Sequence, residues 1–219
     1  MVGKVTSNTM MSCSRLPALF GVSKFSTPQD ELEVSVAALD GGEIYSPTNE
    51  AMRWGNEFEW HILQESARRL NLKNLQTAWP EAQRHAEWPL QCSLDAMIDG
   101  DGRTATTTPD AGIYCIGAEE IVLQGPGVLE AKLTRVWPEK APAVYRGPLQ
   151  LQGQMAIMGA SWGAVCVLYQ GVELRIFLFE ADLNVQEAIR QKVYEFDGKL
   201  RRYQETGVIE GYPELEAKE

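Results

Sequence analysis

Gly125-Pro126-Gly127-Val128-Leu129-Glu130-Ala131-Lys132 is the stretch whose reading decides the rest of this chain. Glycine and proline break the backbone at 125–127, and a strand follows over Val128–Trp137. Side chains two apart share a strand face, so Glu130 and Lys132 point the same way and a carboxylate stands beside an ammonium. The Ala131 carbonyl between them is a further oxygen donor. The tetrapeptide Leu129-Glu130-Ala131-Lys132 recurs letter for letter as Leu215-Glu216-Ala217-Lys218. A Glu-x-Lys triplet arises about once by chance in a chain of this composition. The second copy sits in a charged, unpatterned end that reads as solvated surface. The first follows a turn, lies in a strand and comes after a suitable aspartate.

Upstream, Leu90–Ile98 reads as another strand carrying Asp95, then turn material at Asp99-Gly100-Asp101-Gly102 and an irregular insertion over 103–127. Pro109-Asp110 offers a rival aspartate nearer Glu130, but Thr106-Thr107-Thr108-Pro109-Asp110 is flanked like a loop whereas Asp95 follows an apolar strand. Asp95 is therefore preferred. The plain alternatives are a strand-end turn residue for Asp95 and a turn initiator for Asp110.

Further upstream, Ser12 to Gly21 reads as a short helical or turn-rich entry, followed by a loop through Ser26-Thr27-Pro28. After Pro47, Thr48 or Asn49 can cap a helix from Glu50 to about Leu70, on which Ala51, Trp54, Phe58, Ile62 and Leu70 recur at helical spacing. Glu59 lies on this helix, four residues after Gly55, where the missing side chain lets backbone or substrate come near. Glu57 and Glu65 compete with it, and all three suit an ordinary solvent-facing helix.

Downstream, Gly147-Pro148 opens a helix over Leu149–Met158 that carries Gln150, Gln152 and Gln154. Strands at Ala164–Tyr169 and Val172–Glu180 form a hairpin across Gln170-Gly171. Asn184 with Glu187 looks like a capping box for the last helix. The chain reads as one α/β domain over residues 1–205 with a polar tail over 206–219.

Carboxylates at Glu59, Asp95 and Glu130 supply hard oxygen ligands suited to Mg²⁺ or Mn²⁺, and a lysine beside them can orient or deprotonate an attacking water. Together with a glutamine that holds the water or a phosphate, these pieces can build a phosphodiester-cutting site. The glutamines can equally be the wet side of a helix.

Composition narrows the field. The chain has 219 residues, 44% hydrophobic and 23% charged, enough for one real core. No apolar run approaches the roughly 18 residues of a membrane span. Met1 to Met11 lacks the pattern of a secretory signal, so the expected address is the cytoplasm. Cys13, Cys92, Cys115 and Cys166 are far apart with no C-x-x-C pair, and His61 and His85 are the two histidines. Zinc, iron–sulfur and histidine-rich chemistry are thereby disfavoured, and both histidines read as structural. A net charge of −10 counts against nucleic acid taken at face value. The acids crowd at Asp30-Glu31-x-Glu33 and Glu210 to Glu219, however, while bases gather at Arg68-Arg69 and Arg201-Arg202. Trp54, Trp60, Trp79 and Trp88 read as core.

Several segments carry a family likeness. Ser14-Arg15-x-x-Ala18-Leu19-x-Gly21-x-Ser23-Lys24-Phe25-x-Thr27-Pro28, Trp54-Gly55-Asn56-Glu57-Phe58-Glu59, Cys92-Ser93-Leu94-Asp95, the Glu130-Ala131-Lys132 strand and Gln150-Leu151-Gln152-Gly153-Gln154 stand in one order. In this the chain resembles the phage-type recombination exonucleases, the lambda exonuclease or YqaJ-like viral recombinase group of the PD-(D/E)XK nucleases, over roughly residues 12–190. The resemblance implies a restriction-endonuclease-like α/β core, a central mixed sheet flanked by helices. It implies a metal site of Asp95, Glu130, the Ala131 carbonyl and Glu59 with Mg²⁺ or Mn²⁺, and catalysis by Lys132 with Gln150. It implies DNA contacts from Ser14, Arg15 and Gln152. Ser7 stands where the family has an arginine, and Ala96 where it commonly has glycine.

The implied activity is degradation of linear double-stranded DNA from an end, 5′ to 3′, by a ring-shaped homo-oligomer that feeds a single-strand annealing protein. An endonuclease or repair nuclease of the same fold, or an inactive DNA-binding relative, are the alternatives.

Overall fold

The structure is a computed structural model that describes residues 6–42, 49–77 and 79–213. Thr48 and the 215–218 tetrapeptide fall outside the described residues. In chain order the helices are α1 (Leu16–Leu19), α2 (Pro28–Leu39), α3 (Glu50–Leu70), α4 (Pro148–Met158) and α5 (Leu183–Thr206). The strands are β1 (Met11–Ser12), β2 (Lys73–Thr77), β3 (Gln83–Arg84), β4 (Leu90–Cys92), β5 (Ala96–Thr106), β6 (Ile113–Cys115), β7 (Glu120–Thr134), β8 (Trp162–Tyr169) and β9 (Glu173–Glu180).

A six-stranded mixed sheet, in the order β2-β5-β7-β8-β9-β6, forms the centre, and a small β1-β4-β3 sheet lies apart from it. Parallel β7 and β8 are joined through α4, as a crossover unit requires. The apolar run of β8 is buried almost throughout, because both faces of the sheet are covered. Val128, Val165, Val167 and Phe177 face α4 and α5 with Leu151, Met155, Ile189 and Phe196. Their strand neighbours Leu129, Ala164, Cys166, Ile176 and Leu178 face α3 with Ile62, Leu63 and Leu70. Period-two alternation thus sorts each central strand between two cores. The architecture is the expected α/β core, a central mixed sheet flanked by helices.

Several local expectations change. The strand expected over Leu90–Ile98 is two strands in different sheets, interrupted at Ser93, Leu94 and Asp95. The expected turn at 99–102 and irregular insertion over 103–127 are instead a long antiparallel ladder of β5 and β7, with β6 beyond. Glycine read there as a turn signal serves a register shift between Asp101 and Thr104, where Gly102 has φ +82°. At Gly127 the reason is close approach. A Cβ there would stand 2.3 Å from the buried Trp162 indole.

Thr27-Pro28, read as a loop, opens α2. The Thr27 hydroxyl accepts from the Asp30 N–H at 3.2 Å, and Asp30 accepts from the Thr27 N–H at 2.7 Å. Asn49 caps α3 by accepting from the Met52 N–H at 2.9 Å. Asp182, not Asn184, caps α5, its carboxylate accepting from the N–H groups of Asn184 and Val185. Trp54 and Trp60 are exposed rather than core, and Trp79 and Trp88 pack at its margin. His61 is exposed on α3, whereas His85 stacks on Trp88 at 4.1 Å.

Candidate active site

The site forms where one strand outlasts its neighbour. β5 begins with Ala96 opposite Leu129, so Glu130 to Thr134 continue β7 paired with β8 alone. Asp95, just before β5, closes this gap by accepting the Ala131 N–H on its Oδ2 at 2.9 Å. In an extended strand a residue's N–H and C=O leave on the same side, so the Ala131 carbonyl also faces the open edge beside Asp95.

Glu130 shares a face with Val128 and points under α4, where it is 2% exposed. A carboxylate so buried needs its oxygens satisfied, and both are. Oε1 accepts from Lys132 Nζ at 2.5 Å and from Gln150 Nε2 at 2.8 Å. Oε2 accepts from Gln154 Nε2 at 2.6 Å. Lys132 also donates to Gln150 Oε1 at 3.1 Å, so lysine, glutamate and glutamine form a closed triangle. Gln154 is fully buried and donates to the Ser93 carbonyl as well, at 3.4 Å, while its own Oε1 has no partner.

Glu59 projects from α3 half-buried and makes no hydrogen bond among the described residues, but its charge acts on this cluster. Burial and the Glu130 charge push its carboxyl up, against the pull of Lys132. Asp95 is pushed well above the usual carboxylate range, first by burial and then by Glu130, with Lys132 opposing and Glu59 adding. Burial alone would lower the Lys132 ammonium. Glu130, Asp95 and Glu59 outweigh it, and the group is held above its ordinary value. Burial first, and then the excess of three carboxylates over one ammonium, raises two acids, and the charge part is the condition a divalent cation relieves.

Among the described residues, no three His, Cys, Asp or Glu side chains cluster tightly enough to hold a metal ion by themselves. Asp95, Glu130 and the Ala131 carbonyl nevertheless form an all-oxygen set. That set suits Mg²⁺ or Mn²⁺, which usually keep several waters and take only one or two carboxylates.

Other sequence-predicted residues stand elsewhere. Arg15 is buried and spent on structure. It pairs with Glu31 at 2.5 Å and donates to the Ser35 hydroxyl and to the carbonyls of Asn8, Met10 and Glu31. Gln152 faces away from the cluster, bonded to the Glu180 carbonyl at 2.8 Å and the Asp182 N–H at 2.9 Å. Neither is free to hold DNA. Ser14 is exposed, its hydroxyl 3.2 Å from that of Ser12. Asp110 sits exposed in a short turn (Pro109–Ala111), and its charge is not among those acting on Lys132. Gln154, offered by the sequence in the glutamine series but given no role there, is the glutamine that joins Gln150 at Glu130. Helical geometry held the signal, because residues four apart share a face and residues two apart do not.

Structural comparison meets this geometry with solved nucleases. An alkaline exonuclease from Laribacter hongkongensis superposes with a TM-score of 0.65 at 18% identity over 91% of each chain. Its complex with dAMP gives 0.64 over the same share. The chain shares the fold of this solved protein. A phage-related exonuclease from Haemophilus somnus 129PT shares it at TM-score 0.57 and 12% identity, covering 91% of this chain and 96% of its own. No family model and no curated protein sequence matches the chain. Among the described residues no helix is long and apolar enough to cross a membrane.

Proposed function

We propose that the chain is a phage-type recombination exonuclease, a Mg²⁺- or Mn²⁺-dependent enzyme that degrades linear double-stranded DNA from an end, 5′ to 3′. The observation that carries this is the convergence of Asp95, Glu130, Lys132 and Gln150 at the open edge of β7, in a fold shared with two exonucleases. The dAMP complex of the Laribacter enzyme supports a deoxynucleotide as the unit handled. Homo-oligomeric ring assembly, a single-strand annealing partner and a cytoplasmic setting belong to the same proposal. A ring would let an acidic protomer hold DNA in a shared basic channel.

Asp95, Glu130 and the Ala131 carbonyl would hold the divalent ion, with Glu59 assisting directly or through water. Such an ion lowers the pKa of water and neutralises charge growing on phosphate. Lys132 carries three N–H donors. Two are engaged by Glu130 and Gln150, leaving a third for the attacking water or a phosphate oxygen. Gln150 fixes the ammonium on one side, and Gln154 holds Glu130 from behind.

The test is end-labelled linear duplex against a covalently closed circle, with Mg²⁺ or with EDTA. Nucleotide release from the linear substrate alone, dependent on the ion, is expected. Cutting of the circle would make the chain an endonuclease, and inertness toward both substrates would end the nuclease reading.

A further inference from the structure

Beside the acidic cluster, the first turns of α3 and the far end of β7 enclose a groove of about 830 Å³ that also touches the β8–β9 turn. This is within the size range of small-ligand sites. We propose that this groove is a stacking site for one unpaired nucleobase of a DNA strand entering the acidic site, with Trp54 as the platform and Arg135 on the adjoining phosphate. The inference rests on the nuclease reading above and specifies how that site takes its substrate.

Trp54 and Phe58 are four apart on α3 and form a tilted pair with ring centroids 5.9 Å apart. Phe58 packs against the core, whereas Trp54 is left 46% exposed. Trp54 thus presents part of a large aromatic ring to solvent from a rigid helix, in the wall of a groove, where a planar ligand can stack. What covers it is indicated by the neighbours. Phe58 and Leu133 line the groove from the α3 side of the sheet, and Glu59, the next residue on α3, lies close enough for its charge to act on Asp95 and Lys132, so α3 connects the groove to the candidate site. Arg135 on the same wall is exposed and makes no ion pair among the described residues.

The acid on that wall, Glu50, is engaged by Arg53 at 3.6 Å and by Trp54 Nε1 at 3.3 Å, and the Arg53 guanidinium lies 5.6 Å from the Trp54 ring. An aromatic face flanked by cations, in a chain of net charge −10, matches a base with its phosphate. Gln170 at the turn can donate to or accept from the base edge. Stacking of this kind is tolerant of sequence, as a degrading enzyme requires.

The test measures affinity in EDTA for short oligo(dT) and for an abasic phosphodiester oligomer of equal length. Trp54→Ala should weaken oligo(dT) roughly 5- to 150-fold while barely moving the abasic oligomer. Trp54→Phe should restore most of the loss. Arg135→Ala should weaken both oligomers alike and flatten the salt dependence by about one phosphate contact. Trp60→Ala, an exposed aromatic of α3 outside the groove, serves as control and should change neither.

Equal oligo(dT) affinities for wild type and Trp54→Ala would overturn the inference. So would an altered sedimentation of Trp54→Ala with DNA affinity intact, which would make the groove a protein contact. The nuclease reading is judged separately. Ion-dependent degradation by wild type with no effect at Trp54 removes the groove alone, whereas failure of wild type to bind or cut DNA removes both.

Discussion

Asp95→Asn should make the metal-free protein more stable while destroying its activity. In the folded chain the Asp95 carboxylate is poorly hydrated and faces the charges of Glu130 and Glu59, with Lys132 only partly compensating. Asparagine keeps an oxygen for the Ala131 N–H, so the 2.9 Å hydrogen bond across the gap survives. What disappears is the cost of the charge. One pKa unit corresponds to about 1.4 kcal/mol, and Asp95 is raised well beyond the ordinary value. The expected result is a higher Tm for the variant, each kcal/mol gained moving it by about 2–4 °C in a chain of this size.

The sign follows from linkage. Below the ordinary carboxylate pKa, about 3.9, Asp95 is neutral folded or unfolded and the variant has no advantage. The advantage grows as pH rises through the raised folded value and is constant above it. Adding Mg²⁺ or Mn²⁺ should invert the ranking. Ligand at a hundredfold excess over Kd stabilises wild type by about 2.7 kcal/mol, and a variant lacking one of two carboxylate ligands gains far less. Thermal unfolding by circular dichroism, in EDTA and then in divalent ion across pH, reads both effects. A variant that melts below wild type in EDTA at neutral pH, or gains equally from the ion, refutes the assignment of Asp95.

Lys132→Ala should lower the rate on end-labelled linear DNA by about 10²- to 10⁴-fold, the usual range for a positioned proton-handling group. Lys218→Ala, in the duplicate tetrapeptide, should stay near wild type, and equal losses at both would dissolve the distinction between the copies. Gln154→Leu should cut kcat with KM nearly unchanged by releasing Glu130, whose Oε2 it holds at 2.6 Å. Gln152→Leu should instead cost about 1–3 kcal/mol of stability and leave kcat of the folded enzyme alone; steady-state kinetics with denaturant melts separates the two. Arg15→Met should destabilise by about 3–5 kcal/mol, since it strands the mostly buried Glu31 carboxylate. A urea midpoint matching wild type would return Arg15 to the DNA-contact role.

α3, α4 and α5 were legible because apolar periodicity is local, whereas α2 was not, its Thr27-Pro28 start having read as a loop. α3 runs from Glu50 to Leu70 as its apolar spacing implies, and the β8–β9 hairpin turns at Gln170 and Gly171, both with positive φ. The long β5–β7 ladder was not legible, because Asp99-Gly100-Asp101-Gly102 and Gly125-Pro126-Gly127 carry turn residues that tertiary pairing overrides. Glycine there answers to a bulge and to the Trp162 ring, neither visible in a local window. The break after Cys92 was hidden for a similar reason. Leu90, Cys92, Leu94 and Ala96 are all buried, so the apolar pattern runs on while the backbone passes from one sheet to another.

At the site, the pieces and their order were legible but the pairings were not. Glu130 occupies a position that the alternation of β7 assigns to the core, between Val128 and the open end of the strand. A charge in such a place departs from the local pattern, and departures of that kind are expected where function outweighs stability. The same test separates the glutamines. Gln150 and Gln154 share the face of α4 that meets Glu130, whereas Gln152, half a turn away, secures the start of α5. Arg15 shows the limit of reading by likeness. A positive charge near the right motif suggests a phosphate, yet five hydrogen-bond acceptors from its own chain surround it. Where a strand extends beyond its neighbour, backbone groups on the bared side need partners. Here one carboxylate supplies a partner for the N–H and leaves the carbonyl facing outward, which is why the proposed cation is placed at this unpaired strand edge.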